Sequence, residues 1–263
     1  MKRLIRLLIV ITGIYILICI CLFSFQEKLI FFPYKLDKSH TFEFESKFEE
    51  LNFKTIDDKI LNGLLFKANE SKGLIFYLHG NAGALNTWGN VANTYTALNY
   101  DVFILDYRSF GKSEGSIISQ DQLFSDNQLV YDVMKTKYKE ENIIILGYSI
   151  GSGLAAKLAS TNQPSQLILQ APYFSLTDMM RQNYSWIPTF ILKYKFDTNT
   201  YLKHCNMPIT IFHGTQDQVI DYSASLKLKQ SHNKINLITL ENQKHNNITN
   251  NQDYLNALKI LLQ

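Results

Sequence analysis

The run Ile143-Ile144-Ile145-Leu146-Gly147-Tyr148-Ser149-Ile150-Gly151-Ser152-Gly153 constrains the fold more than any other segment of the chain. Four consecutive apolar residues read as a strand buried on both faces, the pattern of a parallel sheet covered by helices. The strand breaks at a serine set between Gly147 and Gly151. A helix rich in small residues follows, with Gly153, Ala155, Ala156 and Ala159. A sharp strand-to-helix turn brings the backbone back on itself, and a Cβ at either flanking position would collide with the neighbouring strand or helix. Such a turn holds the serine oxygen out where a base and a substrate both reach it. GxSxG alone is a weak signal, but the strand before it and the helix after it supply the context.

The rest of the chain fits such a sheet. Candidate strands are Glu43 to Thr55, Ile60 to Ala68, Gly73 to Leu78, Asp101 to Leu105, Asn142 to Leu146, Gln166 to Gln170, Ile209 to His213 and Asn236 to Leu240. Helical stretches are expected at Trp88 to Asn99, Asp121 to Lys139, Gly151 to Thr161, Ser223 to Gln230 and Asp253 to Leu262. Two β segments followed by regular alternation predict an antiparallel edge continuing into a parallel sheet of eight strands, with helices on both faces. One insert, Tyr173 to Met207, interrupts the alternation and reads as a short lid (173–207). Its apolar residues Trp186, Ile187, Phe190, Ile191, Leu192, Tyr194 and Phe196 suit an acyl chain, and equally suit packing on the domain.

Before the sheet lies Leu7 to Phe25, 19 residues without a charge. As a helix it is roughly 28 Å long, close to the ~30 Å hydrocarbon thickness of a bilayer. A cleaved signal peptide has a shorter apolar region and a small-x-small site, and neither is present here. The segment 1–25 is therefore expected to be a signal anchor and 26–263 a single catalytic domain. Lys2, Arg3 and Arg6 precede the span, which favours a cytoplasmic N-terminus and an exported domain. The aromatics of Gln26 to Tyr34 are expected either at the membrane interface or packed on the first strand.

Without Lys2, Arg3 and Arg6, the basic residues equal the 23 acidic ones in number. No basic stripe points to nucleic acid. Two of the three cysteines lie in the apolar span and Cys205 stands alone, so neither a disulfide within the domain nor a zinc cluster is expected. No cofactor is implied, and the oligomeric state is not encoded in any pattern.

In open parallel sheets ligands bind at the carboxyl ends of the strands. Ile209 to His213 runs into Gly214-Thr215-Gln216-Asp217, and Asn236 to Leu240 runs into Glu241-Asn242-Gln243-Lys244-His245. Both ends lie beside the serine turn. Ser149 as nucleophile, His245 as base and Asp217 as its orienting acid follow in the chain order Ser, Asp, His. Asp221 is the alternative acid, although its place at a helix start suits a cap. His213 reads as a packed strand residue, His204 and His232 as surface residues, and Asp106 as the organiser of the loop Tyr107 to Gly111. Ile150 N–H supplies one oxyanion donor. The loop Leu78-His79-Gly80-Asn81-Ala82-Gly83 supplies the second, at Asn81 N–H with Ala82 as the alternative.

Together these segments resemble the α/β-hydrolase superfamily, and within it the membrane-anchored branch of Bem46-like proteins and the α/β-hydrolase domain-containing groups 13 and 17. The resemblance is carried by Phe25-Gln26-Glu27-Lys28-Leu29-Ile30-Phe31-Phe32-Pro33, His79-Gly80-Asn81-Ala82-Gly83, Asp106 to Gly115, Gly147-Tyr148-Ser149-Ile150-Gly151, Asp217 and His245-Asn246. It implies a serine hydrolase acting on an ester or thioester, with Ser149, Asp217 and His245 as its triad. That branch also contains protein depalmitoylases and proteins classed with serine peptidases, so amide cleavage and acyl transfer are the alternatives of the same class. A non-catalytic anchored binding module is the alternative of another class. Ser109 and Lys244 stand where the branch usually has glycine.

Overall fold

The computed structural model describes residues 1–263. Its strands are β1 (Phe48–Lys54), β2 (Ile60–Phe66), β3 (Leu74–Leu78), β4 (Asp101–Leu105), β5 (Ile143–Tyr148), β6 (Gln166–Gln170), β7 (Ile209–Gly214) and β8 (Asn236–Leu240). They form one sheet in the order β1-β2-β4-β3-β5-β6-β7-β8. β2 pairs antiparallel with β1 and β4, and every later pairing is parallel. The expected antiparallel edge and parallel body are both present.

Why β3, β4 and β5 sit centrally is plain from their residues, since all of them are buried. Successive side chains point to opposite faces. Phe76, Leu78, Ile143 and Ile145 join the core on one face, while Ile75, Tyr77, Ile144 and Leu146 join the core on the other. Each such side chain contributes about 1.5–3 kcal/mol on removal from water.

The first strand is shorter than expected. Phe42 is buried ahead of it, and the Phe44 ring packs edge-on against Phe48 and Phe66 instead of continuing the ladder. The same ring fills the space in which a Cβ at Gly89 would sit, 2.3 Å from its nearest atom. The single helix expected at Trp88 to Asn99 is accordingly broken into Leu85–Trp88, a 3-10 turn Gly89–Val91, and Ala92–Thr96.

The apolar N-terminal segment is a helix, Lys2–Ser24, with no buried residue. It is long and apolar enough to cross a membrane. The aromatics after it do not pack on the first strand. Phe31 is buried against Tyr194 and Phe196 of the insert, whereas Phe32 and Tyr34 are exposed. Tyr173, Tyr194 and Phe196 of the insert are core residues and Leu176 and Met179 pack against the same core, so within the insert the longest exposed stretch is 181–186, with Phe190 exposed beyond it.

Candidate active site

Ser149 links β5 to the helix Ile150–Ala159 with φ 54° and ψ −121°, a conformation L-residues rarely adopt. Its N–H donates to the Gln170 carbonyl at 2.9 Å, and its carbonyl accepts from Ser152 N–H at 2.9 Å. The flanking glycines are required by contact. A Cβ on Gly147 would lie 2.5 Å from the Gly151 carbonyl oxygen, and one on Gly151 would lie 2.2 Å from the Leu78 carbonyl oxygen.

The loops after β7 and β8 bring the other two predicted residues to this serine. His245 Nε2 is 2.9 Å from Ser149 Oγ, and His245 Nδ1 is 2.6 Å from Asp217 Oδ2. All three side chains are buried. Asp217 Oδ1 accepts the Val219 and Ile220 N–H groups at 2.8 and 2.9 Å. Its Oδ2 also faces His213 Nε2 at 3.2 Å. That nitrogen lies 2.9 Å from the Ile220 carbonyl, which can only accept, so it carries a proton. His213 Nδ1 then accepts from Ser225 Oγ at 2.7 Å. Burial alone would raise the Asp217 pKa. The hydrogen bonds from His213, His245 and the Ile220 N–H outweigh it and hold the carboxyl well below its ordinary range. An ionised Asp217 requires the proton of His245 on Nδ1, which leaves Nε2 free to accept from Ser149.

The alternative acid lies elsewhere. Asp221 is exposed and caps the following turn, accepting from Ser223 N–H at 2.9 Å. Asp106 is buried, with Oδ2 accepting from Leu85 N–H at 3.2 Å and its backbone oxygen accepting from Ser113 Oγ at 2.6 Å. Desolvation raises its pKa despite the nearby His79. Its carboxylate occupies the place of a Cβ on Gly111, so it organises the loop, as expected from the sequence.

The two expected oxyanion donors lie on the segments that flank the serine turn. Ile150 opens its helix, where N–H groups have no intrahelical acceptor. Pairing of Leu78 with Gly147 carries the loop 79–83 past the turn, and a Cβ on Gly80 would touch the Tyr148 ring at 2.6 Å. Asn81 N–H donates to no protein acceptor, while Ala82 N–H is already held by Asn81 Oδ1 at 2.9 Å. The same Oδ1 accepts from Phe32 N–H at 3.0 Å, and Asn81 Nδ2 donates to the Ile30 carbonyl. The loop is thereby tied to the segment that follows the N-terminal helix.

Two further residues hold the site: Tyr148, to which the sequence gives no role, and His213, which it reads as a packed strand residue. Tyr148 Oη donates to the His245 carbonyl at 2.8 Å, and His213 shares Asp217 with His245. The Tyr148–His245 bond joins residues 97 apart that only the fold brings together, whereas His213 and Asp217 are four residues apart at the end of β7.

A family profile described as serine aminopeptidase, S33, matches residues 69–197. Human α/β hydrolase domain-containing protein 17B is 30% identical over 72% of this chain and 66% of its own length. A lysophosphatidylserine lipase of Danio rerio is 27% identical over 87% of this chain and 72% of its own. Among solved structures, an esterase of Pyrococcus furiosus superposes with a TM-score of 0.70 at 17% identity, over 89% of this chain and 96% of that one. Fold and relatives together define a serine hydrolase with an esterase- or lipase-like activity. The chain belongs to the α/β-hydrolase superfamily, in the branch of the α/β-hydrolase domain-containing proteins.

Proposed function

We propose that this protein is a membrane-anchored hydrolase of carboxylic esters or thioesters, with Ser149 as nucleophile, His245 as general base and Asp217 as its orienting acid. The observation that carries the reading is the continuous chain Ser149 Oγ, His245, Asp217 at 2.9 and 2.6 Å. His245 Nε2 takes the hydroxyl proton as Ser149 Oγ attacks the acyl carbonyl carbon. The oxyanion that forms is met by the N–H groups of Ile150 and Asn81. Collapse breaks the bond to the alcohol or thiol, which leaves with the proton from His245. A water then gives its proton to His245 and attacks the acyl-enzyme, releasing the acid and restoring Ser149.

In this reading residues 1–25 are the anchor and 26–263 the catalytic domain, with a cytoplasmic N-terminus and the domain exported. The lipid-directed name of the Danio rerio relative supports an acyl substrate. The serine aminopeptidase description of the matching profile supports amide cleavage as the second reading.

Labelling of the full chain by a fluorophosphonate probe tests the nucleophile. Wild type should label and Ser149→Ala should not, and equal labelling of the two would sink the assignment. Acyl-thioesters, p-nitrophenyl esters of graded length and peptide amides, supplied side by side, separate the two substrate classes. Added alcohols or amines would divert the acyl group if transfer competes with hydrolysis.

A further inference from the structure

The insert touches the N-terminal helix far from the point where that helix joins the domain. Tyr15 Oη donates to the Trp186 carbonyl at 2.9 Å. Tyr15 precedes the helix end at Ser24 by nine residues, about 14 Å along the axis. At the helix end itself, Gln26 Nε2 donates to the Ile191 carbonyl at 2.7 Å and Gln26 Oε1 accepts from Lys193 N–H at 2.9 Å. The Lys193 ammonium lies 3.2 Å from the Glu27 carboxylate and 4.6 Å from the centre of the Phe23 ring. Traced backwards, the insert leaves this charged junction and runs along the helix to Trp186.

The side chains on this return path face outward. Tyr184, Trp186 and Phe190 are 55%, 55% and 84% exposed, beside a helix none of whose own residues is buried. Two neighbouring segments thus present one continuous apolar surface, which in water would be unfavourable.

We infer that the segment Tyr184 to Ile191 is a second membrane-inserted element, lying beside the anchor in the leaflet nearest the catalytic domain and delivering acyl substrate from the bilayer. The inference rests on the anchor proposed above and takes the acyl chains of a lipid bilayer as the occupant of this surface. Continuity with the anchor is one argument. Depth is another: the ~14 Å reach to Trp186 is about half of the ~30 Å hydrocarbon core, so the tip stays within one leaflet. The segment is partly closed on itself, with Ile187 N–H donating to the Tyr184 carbonyl at 2.9 Å, Ile191 N–H to the Pro188 carbonyl at 3.2 Å and Leu192 N–H to the Thr189 carbonyl at 3.2 Å. The Trp186 carbonyl is taken by Tyr15.

The charges follow the same layering. Glu27, Lys28 and Lys193 gather at the helix end, at headgroup level, next to a groove that also includes Phe25 and Ile118. Ile118, Phe32 and Tyr34 are 67%, 56% and 58% exposed at that level. Through Asn81, the loop carrying an oxyanion donor is bonded to Ile30 and Phe32 of this same belt. The loop after β3 is thereby bonded to the belt from which the segment Tyr184 to Ile191 extends.

The chain holds two tryptophans, so Trp88→Phe leaves Trp186 as the single reporter. That variant, full length, is reconstituted in phosphatidylcholine vesicles carrying bromine at defined acyl positions. Acyl bromines should remove about half or more of the emission, as for a side chain inserted among acyl chains, and aqueous iodide should remove little. Quenching by iodide alone overturns the inference, as does Trp186 shielded from both quenchers by a second copy of the chain. Alkaline carbonate extraction reads the anchor separately. A chain retained in the membrane with Trp186 unquenched by bromine defeats the lid alone, whereas a chain released by carbonate defeats the anchor reading as well. A second variant, Trp186→Ser with Phe190→Ser, does not depend on the reporter. It should lose about tenfold in kcat/KM on a long-chain ester held in vesicles while staying within about twofold on a short soluble ester. Equal loss on both substrates overturns the inference.

Discussion

Tyr148 Oη holds the carbonyl of His245 at 2.8 Å, so the residue immediately before Ser149 fixes the loop that carries His245. The Tyr148 ring also stacks at a tilt 5.4 Å from the imidazole. Strand β5 thereby positions both Ser149 and His245, the partners of the proposed proton transfer.

Tyr148→Phe keeps the ring and removes only the hydroxyl. A hydrogen-bonded carbonyl left without its donor costs about 1–3 kcal/mol, and the loop gains freedom. In steady-state kinetics on a soluble ester, kcat should fall about tenfold with KM nearly unchanged, as for an interaction that acts on the transition state. An unchanged kcat would show that His245 is held by other contacts.

Ser149 carries the least favourable backbone of the site. Ser149→Gly should abolish turnover and probe labelling while raising the unfolding free energy by about 1 kcal/mol, since a positive φ is released. The urea midpoint, measured beside that of Ser149→Ala, checks it. Ser149→Ala retains the strain and should show no comparable rise.

Asp217 makes the pH response of stability predictable in sign. Its folded pKa is depressed, so its contribution is fully present above the unfolded carboxyl value of about 3.9 and is lost as pH falls through that value toward the folded one. Between about pH 5 and pH 2, the urea midpoint of the wild type should decline more steeply than that of Asp217→Asn. Parallel declines would mean that Asp217 gains no net stabilisation from its four donors.

Arg108 closes a buried pair with Asp126, at 2.6 Å from Nε and 2.9 Å from Nη2, and reaches Asp57 in the turn between β1 and β2 at 2.7 Å. Arg108→Ala leaves Asp126 buried without its cation, and should cost about 3–5 kcal/mol. Adding Asp126→Asn should recover part of that loss in chemical denaturation, because the isolated charge is gone. No recovery would place the effect in lost packing of the arginine stem.

The legible part of the molecule was the part written in near-neighbour pattern. Continuous apolar runs marked β3 to β7, and the strand ends pointed to Asp217 and His245 because a parallel sheet returns its later loops to one edge. What could not be read depends on contacts between distant segments. Phe44 ends β1 by turning onto Gly89, which lies 45 residues away in the sequence. Tyr148 carries no local mark of its bond to the His245 carbonyl, 97 residues further on. Tyr194 and Phe196 read as lid residues but are buried beneath Phe31, since the insert begins and ends inside the core. The glycine-rich motif points to the Asn81 N–H, and nothing in it foretells that the Asn81 side chain binds Ile30 and Phe32 after the N-terminal helix.

That last attachment decides where the catalytic domain can be separated from the apolar N-terminal helix. Tyr34 N–H bonds to Gly83 at 3.1 Å, Leu36 N–H to Gly111 at 3.1 Å, and Gly111 N–H returns to Tyr34 at 2.8 Å, so residues 26–36 are an outer brace of the catalytic loops. A soluble form trimmed back to β1 would lose that brace and, with it, a well-shaped oxyanion loop. The safe boundary falls between Phe25 and Gln26, even though the first strand begins 22 residues later.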